Sequence, residues 1–232
     1  MLYGRKPLGT IGYLGGLMSL PEPFCWSFAQ MIQYNSDYVC QANESIHYLR
    51  AMISFHAAAR NSLVDQMLGD WLLMLDTDIT FEPDLLARLL MIFNRQLDTG
   101  QSIDVLAGLY QHKANPHHPV LYMWGEKENE FLHMGDWDRV DGHCVMPIAS
   151  AGAGCLLVRR SVYDRIKQEL KESPFDITHP FGEDHSFFLR LKKLGLQGYC
   201  DPLITVNHLQ LTPLSMSDYH LDDVLIDKPK EV

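Results

Sequence analysis

The feature that most constrains this chain is the run Trp71-Leu72-Leu73-Met74-Leu75, which ends abruptly in Asp76-Thr77-Asp78. Five apolar residues in succession leave no polar face, so the run reads as a strand covered on both sides, as in the interior of an α/β sheet. Open α/β sheets collect their ligands outside the carboxyl ends of their strands. Two carboxylates at that place are hard to tolerate without a counter-ion. Mg²⁺ or Mn²⁺, which takes oxygen ligands and bridges carboxylate to diphosphate, would supply one. A bare D-x-D is short and common, and it would also suit a loop in which one aspartate caps the next helix and the other is solvated. The buried strand in front and the helix start Phe81-Glu82-Pro83-Asp84 behind favour the functional reading.

Around this strand the pattern alternates between the two periodicities. Strands are expected over 10–18, 37–42, 71–75, 105–110, 155–158 and 205–207. Helices are expected over 24–34, 54–68 with Gly69 as its stop, from Asp84 onward, 162–171 behind a capping-box-like Ser161-x-x-Asp164, and 184–194 stopped by Gly195. The polar, aromatic stretch 111–147 suits hairpins and loops. The result is an α/β fold, a single domain whose mostly parallel central sheet is flanked by helices. It spans 1–208, with an acidic segment 209–232 as a lid or a solvated terminus.

Composition narrows the function. With 232 residues and 47% apolar content the chain can bury a full core, and it has no uncharged apolar run near the length of a membrane span. Its formal net charge of −10 repels a phosphate backbone as a whole, so a nucleic-acid partner stays open but is disfavoured. A small phosphate ligand would need a cation held by carboxylates. Five cysteines, at 25, 40, 144, 155 and 200, form no C-x-x-C pair, which points to reduced thiols and a cytoplasmic location.

Two further places carry candidate chemistry. Phe181-Gly182-Glu183-Asp184-His185 opens a helix, where the partial positive charge of the N-terminus stabilises carboxylates. Asp184 there is either an N-cap or a general base for an acceptor hydroxyl. The glycines of Ala151-Gly152-Ala153-Gly154 mark either close approach of backbone to a substrate or tight packing. His208, just after the last strand, is a lone histidine, and neutral imidazole also suits Mn²⁺ beside carboxylates.

Taken in order, these pieces resemble the nucleotide-sugar glycosyltransferases of the GT-A fold, family 2-like members in particular. The resemblance runs from about Ala57 to His208. It rests on Ala59-Arg60-Asn61, the run Trp71 to Asp78 with Phe81-x-Pro83-Asp84, Gly152 to Arg160, Gly182 to Arg190, and Asp201-Pro202 followed by His208. It implies a metal-dependent transferase of the hexosyltransferase class that moves a sugar from a nucleoside-diphosphate sugar to a hydroxyl or glycan acceptor, with inversion. Asp78 would bind the metal, Asp76 would share it and lie nearer the ribose or uracil, and His208 would complete the metal site. Asp184 would be the base and Glu183 its orienting partner. Gly15, Gly16 and Ser19 would lie by the nucleotide base and Arg60 near the nucleotide. Residues 1–110 would form the nucleotide-sugar half and 111–208 the acceptor half, with Tyr122, Trp124 and Trp137 as candidate sugar-stacking faces.

Two places depart from the family pattern. The first strand lacks the usual Val-Ser-Val-Ile-Ile-Pro character, and Asn43-Glu44 is not a clear counterpart of the base-recognising acid after the second strand. Nucleotide identity stays open, with UDP ahead of GDP. The rival readings are a nucleotidyltransferase, disfavoured because no basic residue follows Gly15-Gly16 closely, and a non-catalytic carbohydrate-binding or assembly protein that keeps the fold.

Overall fold

The computed structural model describes residues 5–15, 19–95, 102–113, 118–134 and 145–210. Gly16, His117, Trp137, Cys144 and most of the acidic C-terminal segment lie outside the described residues. The elements run β1 Lys6–Leu14, α1 Glu22–Tyr34, β2 Glu44–Ala51, α2 His56–Gln66, β3 Trp71–Leu75, β4 Ile79–Thr80, α3 Leu85–Phe93 and β5 Val105–Leu109. They continue with β6 Leu121–Trp124, β7 Phe131–His133, β8 Met146–Ile148, β9 Ser150–Ala151, β10 Cys155–Arg159, α4 Arg160–Arg165, α5 Glu183–Lys193, β11 Gly198–Thr205 and β12 Asn207–His208.

Seven strands form the central sheet in the order β2-β1-β3-β10-β5-β11-β8. β2, β1, β3, β5 and β11 share one direction, while β10 and β8 run against their neighbours. All five residues of β3 are buried, as a strand between two covered faces must be. Leu72 and Met74 point into a core with Leu63, Val162 and Phe187, on the side of α2, α4 and α5. Trp71, Leu73 and Leu75 point into a second core with Phe24, Leu86 and Phe93, on the side of α1 and α3. Alternation across a strand thus sends one run of five apolar residues into both halves of the interior.

The second strand lies elsewhere than expected. Residues 37–42 are not a strand, because α1 continues into a π-helical turn, Asn35–Val39, and β2 begins only at Glu44. Among the described residues β2 pairs with β1 alone, at the rim of the sheet, and only Ile46 and Ala51 of it are buried. So shallow an apolar pattern gives little periodic signal. The shift moves Glu44 to the start of β2, at the edge of the sheet remote from the carboxyl ends of β1 and β3, so Glu44 is not an acid following the second strand.

Helix termini also differ in detail. The helix after β10 starts at Arg160, which places Ser161 inside it and leaves no side-chain cap. α5 is capped by Gly182, so Glu183 and Asp184 occupy its first turn and Asp184 is not the N-cap. Gly195 follows α5 with φ 66°, the left-handed conformation that suits glycine there.

Candidate active site

The carboxyl ends of β1, β3 and β5 lie at one edge of the sheet, and the antiparallel β10 begins at that same edge. The register Cys155↔Leu75 brings the glycine segment beside the D-x-D loop, where the Asp76 N–H donates to the Gly154 carbonyl at 2.9 Å. Tyr110, one residue past β5, fills the space between them. Its hydroxyl accepts the Gly154 N–H at 3.1 Å. A Cβ on Gly152 would lie 2.1 Å from the Tyr110 hydroxyl oxygen, and one on Gly154 would lie 2.8 Å from it. The two open readings of these glycines therefore resolve toward packing, against a tyrosine in the site wall. Burial raises the Tyr110 pKa well above its ordinary value, helped by the nearby charges of Asp76 and Asp184.

Arg60, on the buried side of α2, is the hub. It is 2% exposed. Its Nη1 donates to the Ala153 carbonyl at 2.9 Å and its Nη2 to Asp76 Oδ1 at 3.1 Å. Its Nε faces Glu183 Oε1 at 3.6 Å and Asp184 Oδ1 at 3.7 Å. One guanidinium thus spans the end of β3, the glycine segment and the first turn of α5, a task that suits its planar fork of donors. Burial opposes its charge, but the carboxylates of Asp76, Asp184 and Glu183 hold the guanidinium protonated beyond its ordinary value.

Asp184 has the opposite bias. Its Oδ1 is fully buried without a hydrogen-bond partner among the described residues, although the side chain as a whole is 31% exposed. Burial pushes its pKa up, Arg60 pulls it down, and the charges of Glu183 and Asp76 push it up again, to about 6. A carboxyl in that range is ionised at neutral pH yet basic enough to accept a proton. Beside it, His185 Nδ1 lies 2.8 Å from Ser150 Oγ, and its ring stacks on Phe131 at 4.4 Å. Burial and the neighbouring His133 lower the His185 pKa, and Glu183 opposes them.

Asp78 and His208 meet across a different seam. β12 pairs with β4 in the register His208↔Ile79, which carries His208 back beside the D-x-D loop. His208 Nε2 is 3.5 Å from Asp78 Oδ2, and its Nδ1 is 2.9 Å from the Gln111 carbonyl. Lys113 donates to the same Asp78 oxygen. Burial raises the Asp78 pKa, but the hydrogen bond and charge of Lys113, then the charge of His208, leave it below the ordinary value. Asp78 Oδ1 is buried and has no hydrogen-bond partner among the described residues.

These donors fit a divalent cation of the kind that completes its shell on substrate phosphates. Mg²⁺-like ions commonly take one or two protein ligands and fill the remaining positions with phosphate and water oxygens. Asp78 and His208 offer two neighbouring donors, and Asp78 Oδ1 has no hydrogen-bond partner among the described residues. Asp76 is turned to Arg60 instead. Among the described residues no group of three or more His, Cys, Asp or Glu could hold a metal ion by itself.

The remaining sequence candidates are more peripheral. Gly15 follows β1, where its carbonyl accepts from Arg50 Nη2 at 3.2 Å, and Ser19 is exposed. Trp124 is stacked on Phe131 at 4.9 Å, and the Lys192 ammonium sits 4.1 Å from its ring centre. Tyr122 packs on the rings of His133 and His185. Sequence reasoning had no signal for Lys113 as the partner of Asp78, or for Tyr110 and Ser150 as supports, because each acts across a long stretch of chain.

An α/β sheet of this order, with an acidic loop after β3 and a second acidic pair opening the helix that faces it, defines a GT-A, Rossmann-like domain. Residues 33–166, more than half of the chain, match the profile of glycosyl transferase family 2. The chain belongs to that family and is a glycosyltransferase by family. Among solved structures it is similar to GalNAc-T7, crystallised with UDP, GalNAc and Mn²⁺, at 11% identity and a TM-score of 0.54. That match covers 89% of this chain and 43% of the transferase, so this chain spans less than half of that protein's length. A197 from STIV aligns at 16% identity and a TM-score of 0.49, over 91% of this chain and 99% of that one. No curated protein matches. No helix among the described residues is long and apolar enough to cross a membrane.

Proposed function

We propose that this protein transfers a hexosyl group from a nucleoside-diphosphate sugar to an acceptor hydroxyl, with a divalent cation and with inversion at the sugar carbon. The observation that carries this reading is the convergence on Arg60 of Asp76 from the donor side and of Glu183 and Asp184 from α5. In this reading Arg60 ties the donor side and the acceptor side into one site. Residues 1–110 would supply the nucleotide-sugar half and 111–208 the acceptor half. The donor is UDP-sugar in preference to GDP-sugar, and the free thiols of the described cysteines support a cytoplasmic setting.

Asp78 and His208 would hold the cation, which when bound offsets the charge that builds on the departing diphosphate. Asp184 accepts the acceptor's proton while the acceptor oxygen forms its bond to the sugar carbon. The bond from that carbon to the phosphate oxygen breaks with its electron pair, and the nucleoside diphosphate leaves. Glu183 and Arg60 fix the Asp184 carboxylate in place for that transfer. Tyr110 and the glycine segment exclude water from the space behind Asp76.

Donor hydrolysis is the first test. UDP- and GDP-sugars are incubated with the protein and Mn²⁺, and release of nucleoside diphosphate is followed beside the Asp78→Ala variant. Turnover lost in that variant is the expected result; no turnover of any donor, together with no Mn²⁺-dependent nucleotide binding, refutes the enzymatic reading. With an acceptor in hand, NMR of the product gives its anomeric configuration. A retained configuration removes Asp184 from the role of base.

A further inference from the structure

Lys113 has no place in the family-derived roles, yet it holds the Asp78 carboxylate. Its ammonium donates to Asp78 Oδ2, the same oxygen that His208 Nε2 approaches at 3.5 Å. The other oxygen, Oδ1, is buried and without a hydrogen-bond partner among the described residues. A dication bound to this carboxylate would stand within a few ångströms of the ammonium, where like charges repel strongly. The two cations therefore cannot share Asp78 as the structure stands.

The backbone just before Lys113 is anchored. Gln111 is held by a bridge to Pro119 and by its carbonyl, which engages His208 Nδ1. The Lys113 side chain is 39% exposed, on a flexible four-carbon stem. The ammonium can leave Asp78 while His208 and Gln111 keep their contact. If the cation at Asp78 carries the donor's diphosphate, a lysine released there would lie within reach of it, and lysine serves well as a point-charge binder of phosphate.

We propose that Lys113 is a built-in counter-ion of Asp78 that competes with the divalent cation and, once displaced by it, transfers its positive charge to the diphosphate of the donor. Without ligand the ammonium neutralises Asp78. With metal and donor bound, the dication meets Asp78 and Lys113 meets the phosphates, so each negative group keeps a partner. Metal and donor then bind cooperatively, because each removes the cost of displacing Lys113 that the other would otherwise meet alone. This inference rests on the glycosyltransferase reading above, in which a cation meets Asp78.

The test is Mn²⁺ binding followed by electron paramagnetic resonance, on the wild type, Lys113→Met, Lys113→Gln and Asp78→Asn, each with and without UDP. In the absence of UDP, both Lys113 variants should bind Mn²⁺ more tightly than the wild type, by up to about fivefold, the scale of one partly exposed ion pair removed. UDP should raise the Mn²⁺ affinity of the wild type by a larger factor than that of either Lys113 variant. Equal Mn²⁺ affinity of wild type and both variants without UDP overturns the competition, and an equal effect of UDP on all three overturns the transfer to phosphate. Either result leaves the glycosyltransferase reading standing. Mn²⁺ bound by no protein, with or without UDP, overturns instead the metal-dependent reading on which the inference depends.

Discussion

Replacing Arg60 with methionine tests the hub directly. Methionine keeps much of the side-chain volume and removes the guanidinium that bonds Asp76 at 3.1 Å and the Ala153 carbonyl at 2.9 Å. It also leaves Glu183 and Asp184, at 3.6 and 3.7 Å from the guanidinium, without its charge. Removing one partner of a buried ion pair costs about 3–5 kcal/mol. The carboxylates here keep some contact with water, Asp76 and Asp184 each at 31% exposure, which places the expected loss near the lower end, at about 3 kcal/mol. For a protein of this size each kcal/mol moves Tm by about 2–4 °C, so the variant should melt about 6–12 °C below the wild type at pH 7.5.

The loss should also depend on pH, with a sign that follows from Asp184. Its pKa, about 6, lies above the ordinary carboxyl value, so the folded state gains a proton as pH falls through that range, before the unfolded chain does. Arg60 pulls this pKa down, and without it the carboxyl should titrate at still higher pH. At pH 5 it is then neutral and needs no counter-ion, so the stability deficit of Arg60→Met should shrink by about half or more between pH 7.5 and pH 5. Urea unfolding at the two pH values, read by far-UV circular dichroism, measures this. A variant within 1 kcal/mol of wild type at pH 7.5, or a deficit that is the same at both pH values, refutes the role assigned to Arg60. Adding Asp76→Asn to the variant should recover part of the loss, since it removes one of the carboxylates left without a partner.

Two other outcomes bear on the site. Asp184→Asn should lower kcat by about 10²- to 10⁴-fold, as expected for loss of a positioned base. In the wild type, transfer should rise with pH through about 6 as Asp184 ionises, and that limb should vanish in the variant; an unchanged pH profile assigns the base elsewhere. Gly152→Ala should destabilise the fold by about 1–3 kcal/mol, because its Cβ would meet the Tyr110 hydroxyl at 2.1 Å and Val120 at 2.8 Å, and thermal unfolding of the variant at wild-type temperature would show that Tyr110 has room to move.

Much of the fold was legible where apolar residues ran together. Trp71 to Leu75, Val105 to Leu109 and Cys155 to Val158 are buried strands in the structure as in the pattern, because a strand covered on two faces has no polar side to confuse it. β2 was misplaced because an edge strand buries little, and a π-helical turn carries the β-prone Tyr38-Val39 instead. The shift matters chemically, since it places Glu44 at the start of β2 and not after it, in keeping with its poor match to the base-recognising acid of the family pattern. The D-x-D loop, the Glu183-Asp184 pair and His208 were visible as residue types in a characteristic order. Their partners were not, since Lys113 reaches Asp78 across 35 positions and Arg60 reaches Asp184 from another helix.

By itself, then, the sequence determined the sheet's interior and the residue types at its carboxyl edge, because local periodicity and an abrupt change from apolar to acidic are properties of neighbouring residues. Only the tertiary structure decided how the acids divide. Asp76 is bound to a buried arginine, Asp184 is left with one inaccessible oxygen and a raised pKa, and Asp78 faces both a histidine and a lysine. Ionisation and charge pairing depend on what lies within a few ångströms in space, and in this chain those neighbours come from β-strand register and helix packing between segments far apart in sequence.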